Sequence, residues 1–197
     1  MLRAMVEDGW ALALNRWAPS QGRPMIRLAE PEDLGALPAI EVAAGESFRA
    51  LGMDRIADDP PPSLAALAGY QAEGRAWVAT DGLDNPVAYV LVKLFGVAAH
   101  IEQVTVHPDH AGKRLGAGLI DAVADWARGE GIRALTLTTF EDVPWNAPYY
   151  GRIGFRIVPR EDWGSSLLGI VAAEALHGLG HWPRVVMRRE LPSHQKC

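Results

Sequence analysis

Residues 104–120 constrain this chain more than any other stretch. Val104-Thr105-Val106 is β-branched and ends a run that reads as a strand over 100–106. Pro108 breaks it, because proline has no N–H for a ladder. After Gly112-Lys113-Arg114, the residues Leu115, Leu119, Val123 and Trp126 recur on one stripe, with Asp121, Asp125 and Arg128 off it. That is an amphipathic helix, closed by Gly129 and Gly131. A strand that passes through a glycine-bearing turn into a helix aims free backbone N–H groups at one spot, with the helix dipole behind them. An anion binds at such a spot, and a pyrophosphate fits. Gly112, Gly116 and Gly118 let the backbone approach closely, and Lys113 and Arg114 add positive charge.

The pattern on either side predicts an α/β (α+β) architecture. Residues 25–28 form a short strand, and Pro31-Glu32-Asp33 starts a helix to about residue 44. A short segment follows over 47–52, then a helix over 63–72. Strands at 75–80 and 87–95 flank the turn Asp81-Gly82-Leu83-Asp84-Asn85-Pro86. Beyond the central helix come a strand at 134–138, a short helix at 145–152, a strand at 154–158, a helix at 167–179 and a strand at 184–189. The expected sheet is antiparallel in its first half with parallel crossovers later. Residues 25–191 read as one domain. Residues 1–24 read either as an N-terminal extension, in which Leu2, Met5, Val6, Trp10, Ala13 and Trp17 recur at roughly helical spacing, or as a segment ahead of a true start at Met25, and 192–197 form a tail.

Several function classes are disfavoured. The 197 residues, 49% hydrophobic and 22% charged, suit a single domain with a core of useful size. A net charge of −5 and the absence of a basic tract give no electrostatic case for nucleic acid. No run of 18 apolar residues predicts a membrane span, and residues 1–17 lack the continuous apolar stretch of a signal peptide. The single cysteine, Cys197, cannot form an intrachain disulfide, which fits a reducing, cytoplasmic setting. The histidines lack metal-ligand spacing with cysteine or aspartate partners, so no metal is expected.

Two nucleotide motifs fail on the central stretch. Gly112-Lys113 is followed by Arg114 rather than Ser or Thr, and the third glycine of a dinucleotide fingerprint would fall at Asp121. The stretch instead resembles motif A of the GNAT acetyltransferases, [Gln/Arg]-x-x-Gly-x-[Gly/Ala]. Gly116 fits its last position, whereas Ala111 stands where Gln or Arg is usual and Arg114 where the first glycine is usual. A second region, Pro144-Trp145-Asn146-Ala147-Pro148-Tyr149-Tyr150 followed by Gly154-Phe155, is similar to the family's motif B, in which a tyrosine lies five residues before the phenylalanine. The resemblance spans roughly residues 25–190. It implies a mixed, mostly antiparallel sheet of about six to seven strands, flanked by helices and splayed in the middle to admit CoA. It also implies an enzyme that uses acetyl-CoA as co-substrate.

The resemblance assigns roles to residues. The strand residues Val104, Thr105 and Val106 would meet the thioester and pantetheine through backbone amides. The turn and first helical residues Ala111, Gly112, Lys113, Arg114, Leu115, Gly116 and Ala117 would hold the pyrophosphate. Asn146 would hydrogen-bond the pantetheine arm, a role compatible with capping a helix, and Tyr149 would pack beside the cofactor. Tyr150 is the candidate general acid for the leaving thiolate. A phenol near pKa ~10 protonating a thiolate whose acid is near ~8.5 is uphill by only about 2 kcal/mol. The base would come from the strand, where Glu102 and His100 sit two apart on one face; position alone does not choose between them. Glu46, Phe48, Arg49 and Trp145 are candidates to line the acceptor pocket, with Met53 beside them. The acceptor implied is a primary amine of a small molecule. A protein N-terminus or lysine, and an acyl-CoA sensor without turnover, are the alternatives. Relatives of this kind often pair, and residues 167–189 would be the contact of a homodimer.

Overall fold

Strand β2 (Ala76–Thr80) is buried at all five positions, which requires a sheet covered on both faces. The computed structural model describes residues 24–96 and 98–192. The expected extension at 1–24 and the tail with Cys197 therefore fall outside the described residues, apart from Pro24 and Pro192. Seven strands form a single sheet in the order β1-β2-β3-β4-β5-β7-β6. They are β1 (Met25–Leu28), β2, β3 (Pro86–Phe95), β4 (Ala98–Val106), β5 (Ala134–Phe140), β6 (Arg156–Ile157) and β7 (Arg184–Glu190).

Among the described residues six α-helices surround the sheet: α1 (Leu37–Gly45), α2 (Asp54–Ala57), α3 (Leu64–Ala72), α4 (Leu115–Gly129), α5 (Ala147–Arg152) and α6 (Ser165–Leu176). The segment expected to be helical from Pro31 is divided into a 3-10 turn (Pro31–Asp33) and α1, and a second 3-10 turn spans Glu46–Leu51. Helix α3 begins where expected, at Ser63, whose hydroxyl accepts from the Ala66 N–H at 3.2 Å.

Strand β3 shows how the two faces divide. Val90 and Val92 join the core under α4, with Leu119, Ile120 and Val123. Tyr89 and Leu91 point the other way, into a core with Leu37 and Ile40 of α1 and Leu67 of α3. This is the period-2 alternation of a strand buried on both sides. A smaller cluster, Met53, Phe140 and Val143, closes the end of β5.

The first four strands form an antiparallel meander, as expected. The sheet is mixed and mostly antiparallel, as expected, but of the parallel crossovers expected in its later half one is present among the described residues: β4 and β5 are parallel, joined by α4, whereas β5–β7 and β6–β7 are antiparallel. The reason is insertion: after the two-residue edge strand β6, the chain crosses by α6 and returns as β7 between β5 and β6.

Two irregularities place the site. Leu91 pairs with Gln103 and Val92 with Ile101, so Glu102 is an extra residue, a β-bulge that bends β4. The β4–β5 ladder then stops at Ile101↔Leu137, although β4 runs on to Val106 and β5 to Phe140. Strand β5 stays with β7 to its end, at Phe140↔Arg184. The sheet therefore opens between the far halves of β4 and β5.

Leu119 has 0% exposure in the core that seats α4 on the sheet. Leu119→Ala is expected to destabilise the fold by about 2–5 kcal/mol, read by urea unfolding. A loss below 1 kcal/mol would show that α4 is not held through this core.

Candidate active site

The opening exposes backbone groups in a fixed pattern. His107 N–H donates to Val87 C=O at 2.8 Å, so it points toward β3. Successive residues of a strand direct their backbone groups to opposite edges. Thr105 and Gln103 therefore also turn their N–H groups to β3, and Val104 and Val106 turn theirs into the opening. No ladder to β5 reaches these two residues.

At the end of β4 the chain enters a 3-10 turn (Pro108–His110) and then α4. Two left-handed residues shape the joint, Gly112 at φ +75° and Arg114 at φ +60°. Arg114 is the N-cap of α4, and its side chain makes no capping hydrogen bond. This conformation explains the usual glycine at that position: a residue with a Cβ is strained there. Lys113 reaches back to His110, Nζ to Nδ1 at 3.4 Å. Ala111, Gly112, Lys113 and Arg114 are exposed, whereas Leu115 and Ala117 bury their side chains and can serve the turn only through the backbone. A Cβ on Gly116 would meet the Tyr149 hydroxyl oxygen at 3.4 Å and Val106 Cγ2 at 3.7 Å. Here α4 and α5 approach across the mouth of the opening. Tyr149 spans that gap, and burial raises its pKa.

Tyr150 is nearly sealed, edge-to-face with Tyr149 at 5.5 Å and with Phe155 at 5.8 Å between ring centroids. Burial pushes its phenol well above the ordinary value and keeps it protonated. Asn146 occupies the N-cap position of α5, yet its carboxamide makes no capping hydrogen bond. Trp145, just before it, lies edge-to-face with Phe48 at 5.6 Å, and Phe48 meets Phe140 at 5.8 Å. The 3-10 turn after α1 is thereby pinned to the end of β5. Glu46 and Arg49 of that turn bind each other at 2.9 Å, and Arg49 also binds Asp58 at 2.6 Å. Met53 is buried against Phe140 and Val143.

The two base candidates differ sharply. His100 is 1% exposed, lies in the closed part of the β4–β5 ladder, and bonds Thr136 Oγ1 through Nδ1 at 3.0 Å. Burial pushes its imidazole down to about 4. Of the two candidates, His100 is thus a sealed ring in the paired part of the ladder, below the opening. Glu102, the bulge residue, pairs with Lys93 at 2.7 Å.

Sequence reasoning missed a third candidate, a carboxylate on the α1 side of the sheet. Glu41 of α1 receives Gln103 Nε2 at 2.6 Å on Oε1 and Thr105 Oγ1 at 2.9 Å on Oε2. The Tyr89 hydroxyl also donates to Oε2. Gln103 Nε2 bonds Thr105 Oγ1 at 2.7 Å, which closes the network. Burial is the largest cause that raises the Glu41 pKa; the Tyr89 and Thr105 hydrogen bonds act against it, and Asp59 adds to it. The one available signal was an isolated carboxylate in an otherwise apolar helix, Leu37-Pro38-Ala39-Ile40-Glu41-Val42-Ala43-Ala44. Farther along this side, Thr138, Glu174 and Arg184 form a second polar group, with Arg184 on Glu174 at 3.0 Å. A cavity of about 440 Å³ adjoins it, and one of about 210 Å³ lies by Met53 and Phe140; Trp182 and Pro183 line both.

Comparison with known proteins agrees with this geometry. The family model described as "Acetyltransferase (GNAT) family" matches residues 42–155. An acetyltransferase of GNAT family from Staphylococcus aureus superimposes with a TM-score of 0.64 at 16% identity, covering 86% of this chain and 100% of that one. The PaiA N-acetyltransferase from Thermoplasma acidophilum, solved in complex with coenzyme A, gives 0.60 at 14% identity, covering 85% and 99%. A ribosomal-protein alanine N-acetyltransferase from Escherichia coli gives 0.59 at 18% identity, covering 89% and 99%.

Two outcomes are expected from this geometry. Because His100 has a folded pKa near 4, below its unfolded value of about 6.5, the unfolded chain binds the proton first as pH falls. The stability this residue contributes is full above pH ~6.5 and is lost on the way down to pH ~4. Urea unfolding at pH 7 and pH 5 should show wild type losing about 2 kcal/mol more than His100→Asn; equal losses would show that the ring is not held neutral. Arg114→Gly should remove left-handed strain and stabilise the fold by roughly 0.5–1 kcal/mol, after the greater freedom of glycine in the unfolded chain is counted. An unchanged or lower Tm would contradict the strain.

Proposed function

Since the chain belongs to the acetyltransferase (GNAT) family, an acyl-CoA-dependent enzyme family, we propose that it transfers an acetyl group from acetyl-CoA directly to a primary amine of a small molecule, both bound at once. The observation that carries this reading is the opening between β4 and β5 beyond Ile101↔Leu137, with the Val104 and Val106 amides directed into it. Those donors suit a thioester carbonyl, whose oxygen gains negative charge as the amine attacks. The exposed turn Ala111–Arg114 and the first amides of α4 suit the pyrophosphate of CoA, with Lys113 and Arg114 supplying charge. Thr105 turns its N–H to β3 and its hydroxyl to Glu41, so it holds the strand and the carboxylate rather than the cofactor. The uncapped Asn146 carboxamide is free to meet the pantetheine arm.

In this reading Tyr150 protonates the departing CoA sulfur. Its burial favours the neutral phenol and equally disfavours a bare thiolate beside it, so the proton moves as the C–S bond breaks. Tyr149 lines the passage between α4 and α5. The acceptor enters from the α1 side, where Phe48, Trp145 and the 3-10 turn that holds Glu46 and Arg49 form a wall. The cavities on that side, about 210 and 440 Å³, are of a size for a small acceptor rather than a long peptide.

Calorimetry with acetyl-CoA, followed by a thiol-release screen over primary amines, tests this. Binding with release on a small amine is expected. Tyr150→Phe should lower kcat about a hundredfold or more while leaving the acetyl-CoA Kd within about twofold. Release only with peptides would move the acceptor class to a protein terminus. Binding without release would make the chain a sensor, and no binding would overturn the reading.

A further inference from the structure

The carboxylates on the acceptor side of the sheet are mostly matched by cations. Glu102 has Lys93, Glu174 has Arg184 and Glu46 has Arg49. Glu41 has none among the described residues. Its partners are neutral donors: the Gln103 amide, the Thr105 hydroxyl and the Tyr89 hydroxyl. Glu41 itself is half-buried, seated on the buried Tyr89 and Thr105, which are 0% and 6% exposed. A half-buried anion without a counterion is costly, and hydrogen bonds alone offset only part of that cost. A carboxylate has about four acceptor sites, and these three donors leave one open on Oε1.

The position of Glu41 gives that open site a use. Beyond the bulge at Glu102, the side chains of Gln103 and Thr105 turn to the α1 side, where Glu41 receives them. The amides of the alternate residues, Val104 and Val106, enter the opening. The carboxylate therefore holds the side chains of Gln103 and Thr105, the residues on either side of Val104, whose amide would bind the thioester.

We propose that Glu41 receives the acceptor's ammonium group and takes its proton, with Tyr89, Gln103 and Thr105 positioning it. The inference rests on the transferase reading above. An N–H bond of the ammonium breaks, and its proton forms an O–H bond on Glu41 Oε1. The freed nitrogen pair bonds to the thioester carbonyl carbon, and the C–S bond breaks with its pair leaving on sulfur. Tyr150 gives its proton to that sulfur and regains one, through water, from the second N–H of the acylated nitrogen. Glu41 then returns its proton to solvent, so the net change is ammonium plus thioester to amide, free thiol and one proton. The titratable groups around Glu41 are Tyr89 from β3 and Asp59 from the segment after α2; the donors from β4 do not titrate. Burial sets the affinity of Glu41 for a proton above that of an ordinary carboxylate, as a base near neutral pH requires.

The test uses the full chain and three probes: spermidine, tyramine and an alanyl peptide, scored by thiol release from acetyl-CoA between pH 5 and 10. Glu41→Gln should bind acetyl-CoA as wild type does. It should lose roughly a hundredfold in kcat/KM at pH 7 and recover as pH rises toward the amine's own pKa, about 10, where free amine no longer needs a base. Tyr89→Phe removes one donor to the carboxylate and should move the acidic limb of the wild-type profile to higher pH while retaining most of the maximal rate. A uniform loss at all pH values in Glu41→Gln, or an unmoved limb in Tyr89→Phe, would overturn the proposal and leave the transferase reading intact. Wild type that releases no thiol with any probe would overturn both.

Discussion

The β4–β5 ladder ends after Ile101↔Leu137, and the site depends on that early end. A ladder continued to Val106 would spend the Val104 and Val106 amides on β5 and leave nothing to bind a carbonyl. What prevents it is a competition over direction. The bulge at Glu102 bends β4, while β5 stays paired with β7 up to Phe140↔Arg184. The two strands cannot follow both constraints and remain adjacent. Backbone polarity left unpaired inside a fold is ordinarily a defect; here it faces a cleft that solvent or a ligand can fill.

The two sides of that cleft are built from different materials. On the α4 side the groups suited to an anion are backbone: the amides of the first turn of α4 and a tight turn set by Gly112 and Arg114. On the α1 side they are side chains brought in from separate parts of the chain. Glu41 comes from α1, Tyr89 from β3, Phe48 from the turn after α1, Trp182 from the segment before β7 and Arg184 from its first residue. Aromatic edge contacts from Trp145 through Phe48 and Phe140 to Trp182 bind these pieces together.

That division explains what could be read in the sequence. A turn that needs close backbone approach leaves a local mark in glycines and a proline, so the joint at 107–118 and the helix after it were legible. The spacing of Tyr150 and Phe155 is local too, and the two rings do meet, at 5.8 Å. The bulge was not legible, because one extra residue in a run such as Ile101-Glu102-Gln103-Val104 changes no composition and only shifts the register. Both base candidates were chosen on strand position alone. Strand position could not reveal that His100 sits in the closed part of the ladder or that Glu102 would find Lys93 across it. Glu41 needed knowledge of which helix face meets β4, a tertiary fact. The parallel crossovers were over-read for a similar reason: nothing local announces that β7 will enter between β5 and β6.

Arg114 shows how far a departure from a family's pattern can be tolerated. Its left-handed φ of +60° keeps the backbone path that glycine would take. A long side chain at that position costs about 1–2 kcal/mol in the backbone, yet it places a guanidinium at the N-terminus of α4, where an anion is attracted. The side chain is not spent on a cap or an ion pair among the described residues. The strain and the charge therefore sit on the same residue, and the strain leaves the direction of the turn's N–H groups unchanged. What the usual glycine supplies through freedom, this chain supplies through a fixed conformation, and it adds a cation three residues after Ala111, where the family's pattern has Gln or Arg.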